Sequence, residues 1–475
     1  MLLRYLILFF FQLNLLFVVA QQNEIERAFQ SFKNNTNLAS AHIGVQLVDS
    51  DGETKLLSYQ DDKLFIPASI TKFWTTAMAT RVLKPKFKFK TVVGYNGDLD
   101  ASSHTLKGDL YIIMNGDPSL ESRFIEQSFL NVLRQILIKQ QIKVIEGDIK
   151  IIPADDNYNS CSQWLWSDLG NYYGAGYSPS TFMDNMVELY FNTNFSSGDT
   201  CKILNVIPNS ASFLLTNEVT VGNQNRDLSY AFGVPLQHER VIKGKLPQRN
   251  SPYKVKVSMH NPKDFFYESI QELMTRLNIK ELNNSFSQNV LTDTLLLYDS
   301  PKLSELVRIV NFESNNNYAE HLLVECSKDY TDYLHIDTAA TFMQSYWSKN
   351  FLNEVYFSDG SGLSRKNLVT PRAMNGLLIH IMKDFNTIEK ECIMGSLPVA
   401  GISGTLKFIG KKTAIEGNFI GKSGSMGGVR CYTGYLKKNE EYFPFSVMVN
   451  HFLVSDAKVR KAIENLMEEL YLALK

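Results

Sequence analysis

The chain has 475 residues, 48 Lys and Arg against 49 Asp and Glu (net −1), and 44% hydrophobic residues. That balance excludes the basic footprint of a nucleic-acid binder, and the length exceeds a single hydrophobic core, pointing to two or three domains. Eight scattered His, no His-Glu-x-x-His and no glycine-rich phosphate loop leave no metal or other cofactor implied.

Residues 1–20 carry one positive charge (Arg4), then an apolar run, then Val18-Val-Ala20 ahead of polar Gln21 and Gln22. This pattern predicts a secretory signal peptide with cleavage after small residues, in preference to an uncleaved anchor. Losing Arg4 with it changes the net charge from −1 to −2. No later segment approaches the roughly 20 apolar residues that span a bilayer. The expectation is an exported, periplasmic protein without a membrane span. Export permits disulfides. Five cysteines (161, 201, 326, 392 and 431) cannot all pair within one molecule. Cys161 and Cys201 are the candidate pair nearest in sequence, although spacing does not fix connectivity.

Alternating Ile43, Val45 and Leu47, then Asp51-Gly52 and Leu56-Leu57, predict a β-hairpin. Pro67-Ala-Ser69-Ile-Thr-Lys72 follows and opens a helix, with Ser69 in its first turn. Lys84-Pro-Lys-Phe-Lys-Phe-Lys90 is a basic run, read as a solvated edge where one domain leaves another, with contact to an anionic polymer as the alternative. Between Lys72 and Ser314 lie 241 residues. They include strand patterns at 110–114 and 149–152 and a helical stretch near 124–140, so they are inserted domain rather than loop. An apolar run leads into Lys422 and is followed by Val429-Arg-Cys-Tyr-Thr-Gly-Tyr-Leu, which reads as a hairpin with the lysine on its inner strand. A strand at 443–452 precedes a helical stripe of Val459, Ala462, Ile463, Leu466, Met467 and Leu470. Acids on its polar face favour packing on a sheet over membrane binding. The N- and C-terminal strands then share one sheet with helices on both faces, an α/β fold of the helix-flanked α+β kind.

Three short motifs carry chemistry. Ser69 and Lys72 stand one helical turn apart, so a deprotonated lysine can activate the hydroxyl. Alone this signal is weak, since Ser251–Lys254 and Ser455–Lys458 share the spacing. Ser314-Asn315-Asn316 and Lys422-Ser423-Gly424-Ser425 follow in chain order. Penicillin-recognising serine enzymes carry Ser-x-x-Lys, Ser-x-Asn and Lys-Thr/Ser-Gly in that order.

With Gly116-Asp-Pro-Ser-Leu120, Trp164-Leu-Trp-Ser-Asp168, Ser300-Pro-Lys-Leu-Ser-Glu-Leu-Val307 and Asp359-Gly-Ser-Gly-Leu-Ser-Arg365, the chain resembles the D-alanyl-D-alanine carboxypeptidase/endopeptidase family. These are the low-molecular-mass class C penicillin-binding proteins. The likeness runs from about Ala41 to about Val459 and is weakest from about Thr181 to Pro252. Asn315 stands where the family often has Asp, and Ser423 where it usually has Thr. The resemblance implies a transpeptidase-like, serine β-lactamase-like catalytic domain with large insertions. Its segments would be 21–89 and 263–475, with a second domain at 90–180 and 251–262 and a third nested at 181–250.

The implied reaction is hydrolysis through an acyl-enzyme on Ser69, with Lys72 as base. Ser314 relays a proton, and Asn316 holds Lys72 or the substrate amide. Backbone N–H groups of Ser69 and Ser425 form an oxyanion hole. Lys422, Ser423, Gly424 and Ser425 take the terminal carboxylate, and Met426 resembles a family contact. Asp168 and Tyr173 match residues that family members use to read diaminopimelate; for Asp168 the competing reading is a helix-terminal acid. The implied partners are peptidoglycan stem peptides and cross-links, with β-lactams as inhibitors. A β-lactamase or esterase is the alternative. The Glu-x-x-Leu-Asn pattern of class A β-lactamases is absent from the sequence. A non-catalytic penicillin-recognising receptor is a further alternative, and it would predict a damaged motif set. The sequence carries no signal for oligomeric state.

Overall fold

A computed structural model describes residues 20–155, 157–286, 291–331 and 333–474, so the expected signal segment lies outside the described residues except for Ala20. The chain forms two compact units. One comprises Met1–Val82, Val307–Ser314 and Ala340–Lys475; the other comprises Leu83–Leu306 and Asn315–Ala339.

The first unit is built on an antiparallel sheet in the order Phe419–Met426, Val429–Lys438, Glu441–Asn450, His42–Val48, Lys55–Tyr59. Val45 faces Val447 on one neighbour and Tyr59 on the other. The first and last strands of the chain are therefore adjacent. Strand side chains alternate faces. Ile43, Val45, Leu47, Phe445, Val447 and Val449 join one core with the terminal helix Asp456–Ala473, whose whole expected stripe is buried there. A helix over 20–33, absent from the sequence reading, closes the same core through Ile25, Ala28, Phe29 and Phe32.

The opposite face carries polar ties. Asn375, on the helix Pro371–Asp384, donates to the Gln46 and Pro444 carbonyls (3.1 and 3.2 Å) and accepts from Ser446 Oγ (2.7 Å). Tyr435 OH donates to the Leu378 carbonyl at 2.9 Å. Each buried polar atom named here has a partner, which is the condition for burying it without a large desolvation cost.

One expectation changes. Phe419–Met426 is the edge strand of the sheet, not an inner one. Its hairpin partner Val429–Lys438 occupies the inner position because Glu441–Asn450 pairs with that partner's other side. One backbone edge of the lysine strand is therefore left unpaired by the sheet.

Among the described residues the second unit has two four-stranded and two three-stranded sheets. Leu110–Met114 and Ile149–Pro153 pair in parallel. The helix Phe129–Lys139 starts on Ser128, whose Oγ accepts from Asn131 N at 3.1 Å. This unit extends beyond the boundary near 262. The helix Pro262–Arg276 puts Phe265, Phe266 and Ile270 into its core, and Asp293–Asp299 pairs with Lys90–Tyr95. The candidate Cys161–Cys201 bridge is not formed. All five cysteines are free and buried, Cys201 within the core of the second unit. Among the described residues no helix is long and apolar enough to cross a membrane.

Candidate active site

Ser69 lies in a single 3-10 turn, Ala68–Ile70, that feeds the helix Thr71–Val82. The turn is tight. Ala68 has φ 49°, a left-handed conformation unusual for a residue with a Cβ, and its carbonyl accepts from Thr71 Oγ1 at 2.9 Å. Every residue from Thr71 to Thr80 is buried, so the helix is central and Lys72 is carried into the interior with it. Lys72 Nζ donates to Ser69 Oγ at 3.1 Å and to the Ser361 carbonyl at 2.6 Å.

Lys422 is the second buried amine. Its Nζ donates to Ser314 Oγ at 2.8 Å and to the Ser423 carbonyl at 2.9 Å. Burial pushes its pKa well below the ordinary lysine value, and the neighbouring Lys72 charge pushes the same way. Ser314 also sits in the left-handed region (φ 58°). Gly424 brings the edge strand against the Ala68–Ile70 turn. A Cβ there would stand 2.4 Å from the Pro67 carbonyl oxygen and 3.2 Å from the backbone nitrogens of Ser69 and Ile70. Ser423 Oγ donates to Thr405 Oγ1 at 3.3 Å, Ser425 is exposed and Met426 partly so. The structure thus brings together Ser69, Lys72, Ser314, Lys422 and the 423–426 segment in the first unit.

A loop the sequence reading left without a role completes this cluster. Buried Asp359 accepts from Gly362 N (2.7 Å), Ser364 N (2.6 Å) and Asn367 Nδ2 (2.7 Å). Thr75 Oγ1 donates to the Gly360 carbonyl at 2.6 Å. These bonds hold the 360–362 backbone so that Ser361 offers its carbonyl to Lys72. Gly362 (φ 78°) is required at its position, because a Cβ would fall 1.9 Å from the Ala68 carbonyl oxygen. Arg365 NH1 donates to the Gly427 carbonyl at 3.1 Å, at the turn that ends the lysine strand.

The other candidates lie in the second unit and are joined there by hydrogen bonds. Asn316 Nδ2 donates to the Tyr173 carbonyl at 2.8 Å, and Tyr173 OH donates to Asp168 Oδ1 at 3.4 Å. Burial raises the Tyr173 pKa and the Asp168 charge raises it further, so the phenol stays protonated. Asp168 is the acid in the first turn of its short helix Trp166–Leu169, as the competing reading has it, although the capping position itself is Leu165. Asn315 caps the helix Asn316–Ser327, its Oδ1 accepting from Tyr318 N at 3.0 Å. Asn serves this purpose as well as Asp, which explains why that departure from the usual motif is tolerated.

With this geometry established, comparison with known proteins decides the family. The D-Ala-D-Ala carboxypeptidase 3 (S13) family matches residues 25–473. The chain belongs to this family. It is 25% identical over 442 residues to D-alanyl-D-alanine carboxypeptidase DacB of Haemophilus influenzae, covering 88% of each. It is 24% identical over 452 residues to penicillin-sensitive carboxypeptidase A of Dictyostelium discoideum, covering 88% of this chain and 84% of that one. The crystal structure of penicillin binding protein 4 (dacB) from Haemophilus influenzae aligns with a TM-score of 0.76 at 24% identity, over 94% of this chain and 98% of that one. The fold is therefore that of the penicillin-binding serine enzymes.

In this S13 member the close approach at Gly424 generates a prediction. Gly424→Ala forces the strand away from the Pro67–Ile70 turn. A displacement near 1 Å at reacting groups costs about 10²-fold in rate. Acylation by a fluorescent penicillin should slow by about that factor while circular dichroism stays unchanged. An unaltered acylation rate would show that the turn and strand tolerate separation.

Proposed function

We propose that the chain is a periplasmic serine D-Ala-D-Ala carboxypeptidase and DD-endopeptidase, acting on peptidoglycan peptides through an acyl-enzyme and inhibited by β-lactams. The observation that carries this reading is the Lys72–Ser69 hydrogen bond at 3.1 Å beside a second buried lysine. Burial and the Lys72 charge both disfavour the charged form of Lys422, and the hydrogen bond sets Lys72 as the amine within reach of the Ser69 hydroxyl.

In this reading Ser69 Oγ attacks the carbonyl carbon of the penultimate D-Ala, and its proton passes to Lys72. The carbonyl electron pair moves onto oxygen, where the backbone N–H groups of Ser69 and Ser425 receive it. Collapse of this intermediate breaks the C–N bond, and Ser314 hands a proton to the leaving amine. Water then attacks the ester, releases the shortened peptide and restores Ser69. Lys422, Ser423 and Ser425 hold the terminal carboxylate, with Gly424 and Met426 shaping the contact. Asn316 acts on the Lys72 or amide side. Residues 398–400 bond the 419–421 end of the lysine strand's outer edge, and the backbone beyond it would offer the extended substrate a partner by strand addition.

Asp359 is assigned as a positioning residue, acting on Lys72 through the Ser361 carbonyl. By taking one N–H of Lys72 that carbonyl fixes where the amine stands beside Ser69.

Penicillin should add once, covalently, to Ser69. Ser69→Ala should abolish labelling and peptidase activity, and Lys72→Ala should slow acylation by about 10²–10⁴-fold without unfolding. Mass mapping that finds the label elsewhere in Ser69→Ala would remove the assignment.

Asp359→Asn replaces one acceptor oxygen with an N–H₂ facing backbone N–H donors. Acylation should slow by about 10²-fold, and the acidic limb of its pH–rate profile should move. A purely structural role predicts lower thermal stability with the pH profile unmoved, and that result would reject the positioning role.

Asp168 is proposed to pair with the free amine of a diaminopimelate-type residue. A charged hydrogen bond is worth about 1.5–3 kcal/mol, so Asp168→Asn should lower kcat/KM for such a peptide by roughly 10–150-fold. Penicillin acylation, which lacks the amine, should be nearly unchanged. Equal losses on both substrates would make Asp168 structural.

A further inference from the structure

The basic run at 84–90 is not used by the proposed chemistry, and its lysines gather on one cleft. Three of its lysines, with Lys328, line a cleft of about 530 Å³ in the second unit. We infer that this cleft binds a linear polyanion, a chain carrying phosphate or carboxylate groups at regular intervals.

The backbone under the lysines is fixed. Phe89 N donates to Ser300 Oγ (2.9 Å), Ser300 N to the Phe89 carbonyl (3.0 Å) and Leu303 N to the Phe87 carbonyl (2.8 Å). Phe89 is buried, and its ring meets Phe87 edge-on with centroids 5.1 Å apart. The lysines therefore rise from an anchored segment. Lys86 stands on a turn closed by the Phe87 N–H to the Lys84 carbonyl (3.0 Å), and Lys88 and Lys90 follow it into the strand Lys90–Tyr95, so the cations come from successive points along the segment rather than from one point that would enclose a single ion.

The charges are only partly answered. Lys88 meets Asp299 at 3.3 Å, and Lys328 pairs with Glu325 and donates to the Asn115 carbonyl at 3.2 Å. Lys86 and Lys90 are exposed and make no ion pair among the described residues. Four lysines against two acids leave the lining at +2, on a chain whose total is −1. Scattered surface lysines need no explanation. Four of them lining one cleft, on a near-neutral chain, present a complementary surface to a polymer of repeated anions.

The test uses the full chain and two labelled probes, poly-γ-glutamate for carboxylate and a glycerol-phosphate oligomer for phosphodiester, followed by fluorescence anisotropy. At least one probe should bind, and binding should weaken between about 50 and 200 mM salt. The tighter probe identifies the anion. The double variant Lys86→Gln/Lys90→Gln should weaken binding at least about tenfold and lower the salt slope by about one per lysine, with penicillin acylation at Ser69 unchanged. A control, Lys411→Gln/Lys412→Gln, removes two exposed lysines of the first unit and should leave binding as it was. Failure of both probes to bind at the lowest salt, or equal weakening in the control, would overturn the inference. Either result leaves the catalytic reading untouched, because acylation is measured separately.

Discussion

The chemistry depends on two primary amines held out of water in one pocket. Lys72 and Lys422 are both fully buried. Burial alone disfavours an ammonium, and a second ammonium nearby disfavours it further. The direction falls on Lys422, whose pKa is lowered by burial and then by the Lys72 charge. In the proposed function an arriving carboxylate would favour the charged form of Lys422, while Lys72 stays hydrogen-bonded to Ser69. Substrate binding and placement of the base would then share one electrostatic environment.

That arrangement is expensive to build, and the scaffold shows where the strain is held. Ala68 and Ser314 both adopt left-handed backbone conformations. Gly424 and Gly362 sit where any side chain would collide with the nucleophile turn. Such features persist only when the surroundings over-determine them. Here the surroundings are a central buried helix, the edge strand and the Asp359 loop. The loop contributes a backbone carbonyl to Lys72 and an arginine contact to the turn ending the lysine strand. It connects Lys72 and the turn after the lysine strand through one short piece of chain.

Much of this was legible in the sequence because the chemistry sits in short contiguous motifs. Ser69 and Lys72 are one turn apart, and Ser314 and Lys422 carry their identities with them. The terminal helix was legible because Val459, Ala462, Ile463, Leu466, Met467 and Leu470 keep helical spacing. The helix over 20–33 has the same signal in Ile25, Ala28, Phe29 and Phe32, but it adjoins the apolar signal-like segment and was not separated from it. The edge position of the lysine strand depends on which strand pairs across the sheet, a non-local fact that alternation cannot carry. The role of Asp359 was hidden for a related reason. Its partners lie within eight residues, but their common effect falls on Lys72, 287 residues away in the chain.

The edge strand raises a final physical point. Unpaired strand edges invite association with other chains, and proteins commonly blunt them. Here the edge ends at a glycine turn, Gly427-Gly428, and its eight residues include a buried lysine. Charge buried in an edge strand opposes the continuous apolar pairing that drives aggregation. Residues 398–400 bond the 419–421 end of this edge. In the proposed function a short, extended peptide would pair with the backbone beyond it, and its terminal carboxylate would answer the lysine. Recognition of the chain end and protection of the edge would then follow from one side chain.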